Sequence, residues 1–204
     1  MILQQAPIFR YYRLGVRAAD RERFVQAGQA NLTTSIREEP GTLAMTAAHV
    51  NASETDNVVV ELYRDAAAYA VHAASPQFSQ YGQVAQQILT TRQMTELVPR
   101  FIRIQPRPLE QVSTMILLEV TVTRPAIGAV LRTQLRRLAA GPGAGSFVLA
   151  GSHQTDDQQW TVLLPQAPVV DQLIQWVTAQ QLTYTQQLLG VDTAVAQGDV
   201  GYEE

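Results

Sequence analysis

The chain has 204 residues and is 46% hydrophobic, which is enough for one larger domain or for two domains of about 100 residues each. Its formal net charge of −3 provides no basic surface for nucleic acid or an anionic membrane, so we expect neither as a partner. It contains no cysteine, and all 15 cationic residues are arginine, which excludes disulfides, thiol nucleophiles, thiolate metal sites and lysine Schiff bases.

The sequence gives no sign of a membrane span or a targeting segment. No window approaches the roughly 20 apolar residues that a membrane helix needs. Residues 1–13 lack the basic and apolar regions of a signal peptide. We therefore expect a cytoplasmic protein.

Hydrophobic periodicity and turn residues predict the order βαββαβ for residues 1–104, which is the ferredoxin-like plan. Pro40 and Gly41 end the first helix, and Pro99, which cannot donate a ladder hydrogen bond, indicates an edge position for the last strand. The predicted elements are a strand at 8–17, a helix at 20–39, strands at 42–50 and 58–64, two short helices after Asp65 and Ser75, and a strand at 93–104.

Both short helices carry a recognisable start signal. Asp65 is a candidate N-cap because its carboxylate can accept the free amide hydrogens of the first turn. Ser75 is a second candidate, and Pro76 after it suits the first helical position, where no amide hydrogen bond is needed.

Three short motifs surround these helices. Residues 61–65 read E-x-Y-R-D, residues 72–78 read H-x-x-S-P-x-F, and residues 39–41 read E-P-G. In this spacing the first half of the chain, over about residues 8–104, resembles the antibiotic biosynthesis monooxygenase (ABM) family. The resemblance implies a ferredoxin-like α+β domain that usually pairs into a dimeric α/β barrel. It is more specific for fold than for reaction, because the family spans several chemistries.

The second half repeats the pattern of the first at an offset of about 104 residues. The repeat predicts strands at 114–123, 145–153 and 160–164 and helices at 125–140 and 169–189, with residues 190–204 supplying part of an eighth strand or fraying. Chance agreement between two apolar patterns of like period is the alternative. The matched pairs are Leu14 with Leu118, Val16 with Val120, Gly41 with Gly145, Leu43 with Phe147, and His49 with His153.

A duplication has a consequence for the fold. A four-stranded sheet covered by helices on one face leaves its other face apolar and in need of a partner. We therefore predict two ferredoxin-like repeats, residues 1–104 and 113–204, joined by a linker at 105–112. Their antiparallel sheets would form a pseudo-dimeric α/β barrel, either as a monomer or paired again as a homodimer.

His72 is the first candidate for chemistry. Tyr69 and His72 share a helix face, and in the family this helix borders a pocket between the sheet and the helices. An imidazole there could take a proton from a phenol or hydroquinone, whose anion reacts with oxygen without a cofactor. The alternative is a structural histidine that closes the gap between helix and sheet.

Five residues are candidates for substrate binding, the first of them Tyr69 on the helix face that it shares with His72. Glu61 and Tyr63 project from one side of a strand, and a carboxylate there either pairs with Arg10 or Arg13 or faces the pocket. Tyr63 suits the core equally well. Asn31, at the edge of the first helix's apolar stripe, offers an amide, and Phe78 belongs to the motif.

The sequence argues against haem and against a metal. Haem-degrading relatives carry tryptophan at the position of His72, and their iron-ligand histidine corresponds to Gly82. His49 and His153 end equivalent strands without a neighbouring carboxylate cluster, since Asp56 and Asp156 fall in predicted loops. We therefore expect no metal and no cofactor.

The second half lacks every motif residue, so it would be a structural partner that lends Trp160 or Trp176 to a shared wall. The leading hypothesis is a cofactor-independent monooxygenase that acts on a small aromatic or quinol-type compound in the first-half pocket. The alternatives are a non-catalytic ligand-binding or stress-related module and a purely structural protein.

Overall fold

The computed structural model describes residues 1–50, 52–105, 112–141 and 147–204. The described part of the first half contains four strands, three α-helices and a short 3-10 helix at Ala18–Asp20. The strands and α-helices are β1 (Ile8–Val16), α1 (Arg21–Glu38), β2 (Thr42–His49), β3 (Asp56–Tyr63), α2 (Ala66–Ala73), α3 (Pro76–Ile88) and β4 (Leu89–Ile104).

The second half contains five strands and two helices in its described part. These are β5 (Thr114–Thr121), α4 (Pro125–Ala140), β6 (Phe147–His153), β7 (Asp156–Pro165), α5 (Pro168–Ala179), β8 (Tyr184–Ala196) and β9 (Val200–Glu203).

Eight of these strands close into a barrel. The first half forms an antiparallel sheet in the order β4-β1-β3-β2, and the second half forms the corresponding sheet β8-β5-β7-β6. The pairs β2–β8 and β4–β6 join the two sheets. The short strand β9 pairs with the C-terminal part of β4, from Phe101 to Ile104. The predicted fold class, two ferredoxin-like repeats in a pseudo-dimeric barrel, is confirmed.

The two long strands β4 and β8 hold the halves together. β4 pairs with β1 up to Leu97 and with β6 from Leu97 onward. In the same way β8 pairs with β5 up to Gly190 and with β2 from Gly190 onward. Each half therefore extends the sheet of the other half with its own long strand, β4 for the first half and β8 for the second.

The hydrophobic core consists of three clusters of buried side chains, one inside the barrel and one under the helices of each half. The barrel interior combines buried side chains of both halves, among them Phe9 and Leu62 with Met115 and Phe147. A second cluster lies between the first sheet and α1, α2 and α3, and a third lies between the second sheet and α4 and α5. The sheet faces that helices leave uncovered therefore shelter each other.

Within the first half's own sheet, the strand containing Pro99 lies at the edge, as predicted. In the barrel this edge is covered, because β4 pairs with β6 of the second half from Leu97 onward. The β4–β6 register shifts between Pro99 and Phe101, and such an irregularity tolerates a residue that has no amide hydrogen.

The predicted helix at 169–189 is wrong in its second part. α5 ends at Ala179, and Gln181 adopts a positive φ of 55° that turns the chain. The eighth strand is β8, which begins at Tyr184, and the tail adds the short strand β9. Both Gln181 and the leucines of β8 fit a helical pattern, so the sequence carried no breaker signal.

Other boundaries differ by a few residues. β4 begins at Leu89 instead of 93, and β7 spans Asp156–Pro165 instead of 160–164. Asp56 and Asp156 are the first residues of strands, not loop residues. Most of the predicted linker and Gly145 lie outside the described residues.

The two predicted helix caps are confirmed. Asp65 Oδ1 accepts a hydrogen bond of 2.8 Å from the amide of Ala68, and Ser75 Oγ accepts one of 3.3 Å from the amide of Phe78. They fix the starts of α2 and α3 above the first sheet. Among the helices of the described residues, none combines the length and the apolar character that crossing a bilayer requires.

We predict that Gly151→Ala destabilises the barrel by about 1–3 kcal/mol, because the added methyl group overpacks the β4–β6 seam. Its Cβ would lie 2.9 Å from Leu97 Cβ and 3.1 Å from Phe9 Cδ1. The matched control is Gly28→Ala in α1, where nothing lies within 4 Å of the added Cβ. We expect that change to stabilise the helix by about 0.5–1 kcal/mol. Urea unfolding measures both, and a Gly151→Ala protein as stable as wild type would contradict the seam geometry.

Candidate functional site

A cavity of about 520 Å³ lies between the outer face of the first sheet and the helices α2 and α3. Its volume is in the range of small-molecule sites. The residues that line it all belong to the first half: Tyr12, Leu14, Val59, Glu61, Tyr69, Phe78, Tyr81, Gly82, Ala85, Gln86, Leu89, Thr90, Thr91 and Arg92.

Strand alternation determines which side chains form the cavity floor. Val59, Glu61 and Tyr63 face the helices, whereas Val60 and Leu62 face the barrel interior. Tyr12 on β1 likewise faces the helices, and Tyr11 points into the barrel. The predicted common orientation of Glu61 and Tyr63 is confirmed.

Glu61 is the one carboxylate among the residues that line this cavity, and it is only 8% exposed. The hydroxyl of Tyr63 donates a hydrogen bond of 3.0 Å to its Oε2. Burial raises the pKa of Glu61 above its usual range, and the nearby His72, the Tyr63 hydroxyl and Arg10 oppose that rise. The site therefore holds a carboxyl group that takes a proton more readily than one in water.

The salt bridge predicted for Glu61 is not found within the described part of the chain. Arg13 instead reaches Glu119 of the second half at 3.4 Å. Arg10 lies beside Glu61 on the neighbouring strand, and its guanidinium carbon sits 3.9 Å above the ring centre of Tyr69. The carboxyl of Glu61 thus faces the cavity without a direct ionic partner.

Aromatic rings form most of the wall around Glu61. Tyr69 and Phe78 come from α2 and α3, and Tyr81 lies one turn after Phe78. Burial raises the pKa of Tyr12 to about 12 and also raises that of Tyr81, so both phenols are neutral near pH 7. An aromatic ligand would meet ring faces and edges here, with one acidic group at the floor.

His72 lies behind this wall and does not line the cavity. Its side chain is fully buried, with the ring centre 4.8 Å from that of Phe78 and 5.2 Å from that of Tyr63. Its Nδ1 lies 3.0 Å from Glu39 Oε2, while Nε2 is buried and has no hydrogen-bond partner in the part of the chain that the structure describes. The imidazole adjoins the site through Phe78 and Tyr63.

Glu39 is the centre of a buried polar cluster that the sequence did not reveal. Thr42 Oγ1 donates to its Oε2 at 2.6 Å, and Gln77 Nε2 donates to its Oε1 at 2.5 Å. From the E-P-G motif we predicted only the end of a helix. Glu39 in fact ties α1 and β2 to α2 through His72 and to α3 through Gln77.

This cluster does not have the geometry of a nucleophilic triad. Ser35 Oγ lies 3.2 Å from His72 Nδ1, the same nitrogen that contacts Glu39. In a serine–histidine–acid triad the acid and the serine contact opposite ring nitrogens. Ser35 is therefore a structural neighbour of the imidazole.

The structure brings together part of the predicted site. Glu61, Tyr69 and Phe78 line the cavity, and Tyr63 supports Glu61 from below. Asn31 is 2% exposed on α1, one turn before Ser35, and no described residue forms a hydrogen bond with its Oδ1. It does not line the cavity.

Sequence reasoning missed Tyr12, Tyr81 and Arg92 as lining residues. Alternation along β1 already placed one of the two adjacent tyrosines on the helix side. Tyr81 was recognisable as part of the apolar face of α3. Arg92 was not recognisable, because the start of β4 was predicted four residues too late.

The second half contributes nothing to this cavity among the described residues. The buried side chains that can carry a charge are Arg21, Glu39, Glu61 and His72, and all belong to the first half. The prediction that Trp160 or Trp176 forms a shared wall is wrong, because both pack in the core of the second half.

His49 lies in a polar cluster that contradicts the prediction of no neighbouring carboxylates. Its Nδ1 is 3.0 Å from Asp192 Oδ1, and Glu54 completes a group of three potential ligands within 4.8 Å. Arg21 reaches into the same group, 2.8 Å from Glu54 and 2.6 Å from Asp192. The guanidinium supplies the positive charge there, and the cluster joins α1 to the β2–β8 seam.

Comparison with known families supports the resemblance seen in the sequence. The sequence model of the antibiotic biosynthesis monooxygenase family matches residues 7–84. This span contains β1 to β3, α2 and most of α3, and therefore Glu61 and the aromatic wall. No curated protein matches the chain.

Two solved structures share the architecture over their whole length. A provisionally assigned monooxygenase from Lactobacillus acidophilus NCFM is 21% identical, with 97% of this chain and 99% of that chain covered and a TM-score of 0.83. A second one, from Fusobacterium nucleatum subsp. nucleatum ATCC 25586, is 16% identical, with 99% and 100% covered and a TM-score of 0.86. At such identities the likeness establishes the fold, including the pairing of two halves in one chain.

We predict that Glu61→Gln flattens the pH dependence of stability. Because the pKa of Glu61 is raised above 4.5 in the folded state, this group favours folding most at low pH. Its contribution is lost as the pH rises through the raised pKa, since a buried charge must then form. Urea unfolding from pH 4 to pH 8 should show this loss in wild type relative to Glu61→Gln. Parallel curves would contradict the assignment.

We predict that Glu39→Ala destabilises the protein by roughly 3–5 kcal/mol, because it leaves the buried Thr42 and His72 and the half-buried Gln77 without their shared acceptor. The matched control is Glu38→Ala, whose side chain is 57% exposed and pairs only with Arg37. That change should stay within about 0.5 kcal/mol of wild type. Chemical denaturation at pH 7 compares the two, and similar losses would contradict the central place of Glu39.

Proposed function

We propose that the protein is a monooxygenase that binds a small phenol or hydroquinone in the first-half cavity and oxidises it with molecular oxygen, without a bound cofactor. The observation that carries this proposal is the carboxyl of Glu61, buried at the floor of an aromatic-walled cavity. The family match over residues 7–84 supports the reaction class.

Binding would use the rings around the cavity. Tyr12, Tyr69 and Phe78 offer ring faces and edges to a planar substrate, at about 0.5–1.5 kcal/mol per aromatic pair beyond the area that it buries. With the ring held there, the substrate hydroxyl would point to Glu61. Thr90 and Arg92 at the start of β4 would border its other end.

Glu61 would then accept the proton of the substrate hydroxyl. Burial raises the pKa of this carboxyl, and a carboxylate with a raised pKa is a stronger base for a weakly acidic phenol. The resulting phenolate spreads its electrons onto the ring carbons, where it can react with oxygen. Because the cavity excludes bulk water from Glu61, the anion forms next to the reacting ring and not in solvent.

The overall reaction balances without another reactant. A phenol with a free para position and one O₂ give a para-quinone and one water. One oxygen atom becomes the new carbonyl, the other leaves as water, and the substrate loses two hydrogens. No external electron donor is required.

The sequence predicted His72 as the base, but its position behind the cavity wall does not favour that role. Its imidazole is separated from the cavity by Phe78, and its Nδ1 is engaged by Glu39. We therefore assign proton acceptance to Glu61, and we assign to His72 a supporting role beneath it.

We predict that oxygen uptake with a panel of phenols and hydroquinones falls about 10²- to 10⁴-fold in Glu61→Gln, the range for loss of a general base. His72→Ala should retain more activity than Glu61→Gln, because the imidazole does not touch the substrate. Glu119→Gln, on β5 where the carboxylate pairs with Arg13 outside the cavity, is the matched carboxylate control and should keep wild-type turnover. An oxygen electrode and product mass spectrometry measure the rates and the incorporation of ¹⁸O.

Three outcomes would contradict this assignment. Wild-type turnover in Glu61→Gln would remove Glu61 as the base. Loss of activity on chelation, or a copurifying flavin spectrum, would contradict the absence of a cofactor. Tight binding of the same phenols with no oxygen uptake by wild type would indicate a ligand-binding module in place of an enzyme.

A further inference from the structure

Three charged side chains form a row across the outer face of the first sheet. Arg10 on β1 pairs in register with Glu61 on β3 and with Glu96 on β4. Residues paired in this way lie on the same face of a sheet, about 5 Å apart at Cβ. Arg10 therefore lies between two carboxylates, one at the floor of the cavity and one outside it.

Tyr69 holds the arginine in this row. Its ring lies over the guanidinium at 3.9 Å, which restricts the head group of a long and otherwise flexible side chain. Tyr69 itself lines the cavity and contacts Tyr63, with 5.3 Å between ring centres. The Nε of Arg10 is buried and has no hydrogen-bond partner among the described residues. Neither Glu61 nor Glu96 lies within ion-pair distance of the guanidinium.

We propose that Arg10 is a positioning residue that keeps Glu61 ionised between turnovers, and that Glu96 opposes it by offsetting part of the positive charge of the guanidinium. This inference rests on the proposed function, because it explains how a buried carboxyl remains available as a base. A positive charge on the neighbouring strand stabilises the ionised form of Glu61, and a second carboxylate on the far side of Arg10 weakens that effect.

Other groups also face Glu61 and contribute to its charge state. The Tyr63 hydroxyl donates to it from its own strand, and His72 acts on it from α2. His72 has a carboxylate, Glu39, on its other side, as Arg10 has Glu96. Glu39 also holds Thr42 and Gln77, so Glu96 is the carboxylate that can be removed without breaking that buried cluster. The titratable groups around Glu61 are Tyr63 on β3, Arg10 and Tyr12 on β1, Glu96 on β4, His72 and Tyr69 on α2, and Tyr81 on α3.

The geometry supplies two substitutions of opposite effect. Arg10→Gln removes the cation, so ionised Glu61 loses support and its titration midpoint should move to higher pH. Glu96→Gln removes the competing carboxylate, so the midpoint should move to lower pH. Arg103→Gln is the control cation, because it lies on β4 outside the cavity and pairs with Asp199. It is seven residues or about 23 Å along β4 from Glu96 and should shift the midpoint least.

The titration can be measured without any activity. In protein labelled with ¹³C at the glutamate side-chain carboxyl, the resonance of Glu61 is the one that disappears in Glu61→Gln, and its midpoint is followed by NMR from pH 4 to pH 9. Oxygen uptake with the best phenol of the panel is then measured over the same range. We expect the pH–rate profile of each variant to move in the same direction as its Glu61 titration.

The outcomes separate this inference from the function on which it rests. Opposite shifts for Arg10→Gln and Glu96→Gln in both measurements support it. An unchanged Glu61 midpoint in both variants overturns it, whatever the activity. A shifted titration with no oxygen uptake by wild type overturns the proposed function, and with it any part for Arg10 in the reaction. If Arg10→Gln fails to fold, Glu96→Gln alone decides the sign.

Discussion

Each ferredoxin-like sheet in this protein has two apolar faces but only one layer of helices, and the arrangement of the whole chain depends on this imbalance. Phe9 and Leu62 of the first sheet, with Met115 and Phe147 of the second, would be exposed to water if the halves separated. Burying an apolar side chain of this size stabilises the folded state by about 1.5–3 kcal/mol. Closing the two sheets into one barrel satisfies both faces at once.

The long strands β4 and β8 make this closure specific. Each begins in its own sheet and ends in the sheet of the other half, so the seams are backbone ladders as well as apolar contacts. A barrel of this kind has no open edge at the seams and resists strand addition by other chains. The second half thus does for the first what a second subunit does for a single ferredoxin-like domain.

The apolar contacts inside the barrel hold the two halves together. The side chains between the sheet and the helices can therefore differ from one half to the other. In the second half this layer is a large apolar cluster that includes Trp160 and Val177. In the first half it contains Glu39, Glu61 and His72, which are costly to bury and are held by hydrogen bonds and nearby charges. Polar groups retained at such a cost beside a cavity are the physical basis for placing the chemistry in the first half.

The sequence by itself determined the elements whose signals are local. Strand and helix periods gave most of the fold, Asp65 and Ser75 marked helix starts, and the spacing of the motifs indicated the family that the first half resembles. It did not determine β8, because Gln181 turns the chain without glycine or proline. Nor did it decide that His72 lies behind Phe78 and that Glu61 faces the cavity. Periodicity gives the face of an element on which a side chain lies, but only the packing of helices on the sheet decides whether that side chain meets a cavity, a charge or a wall.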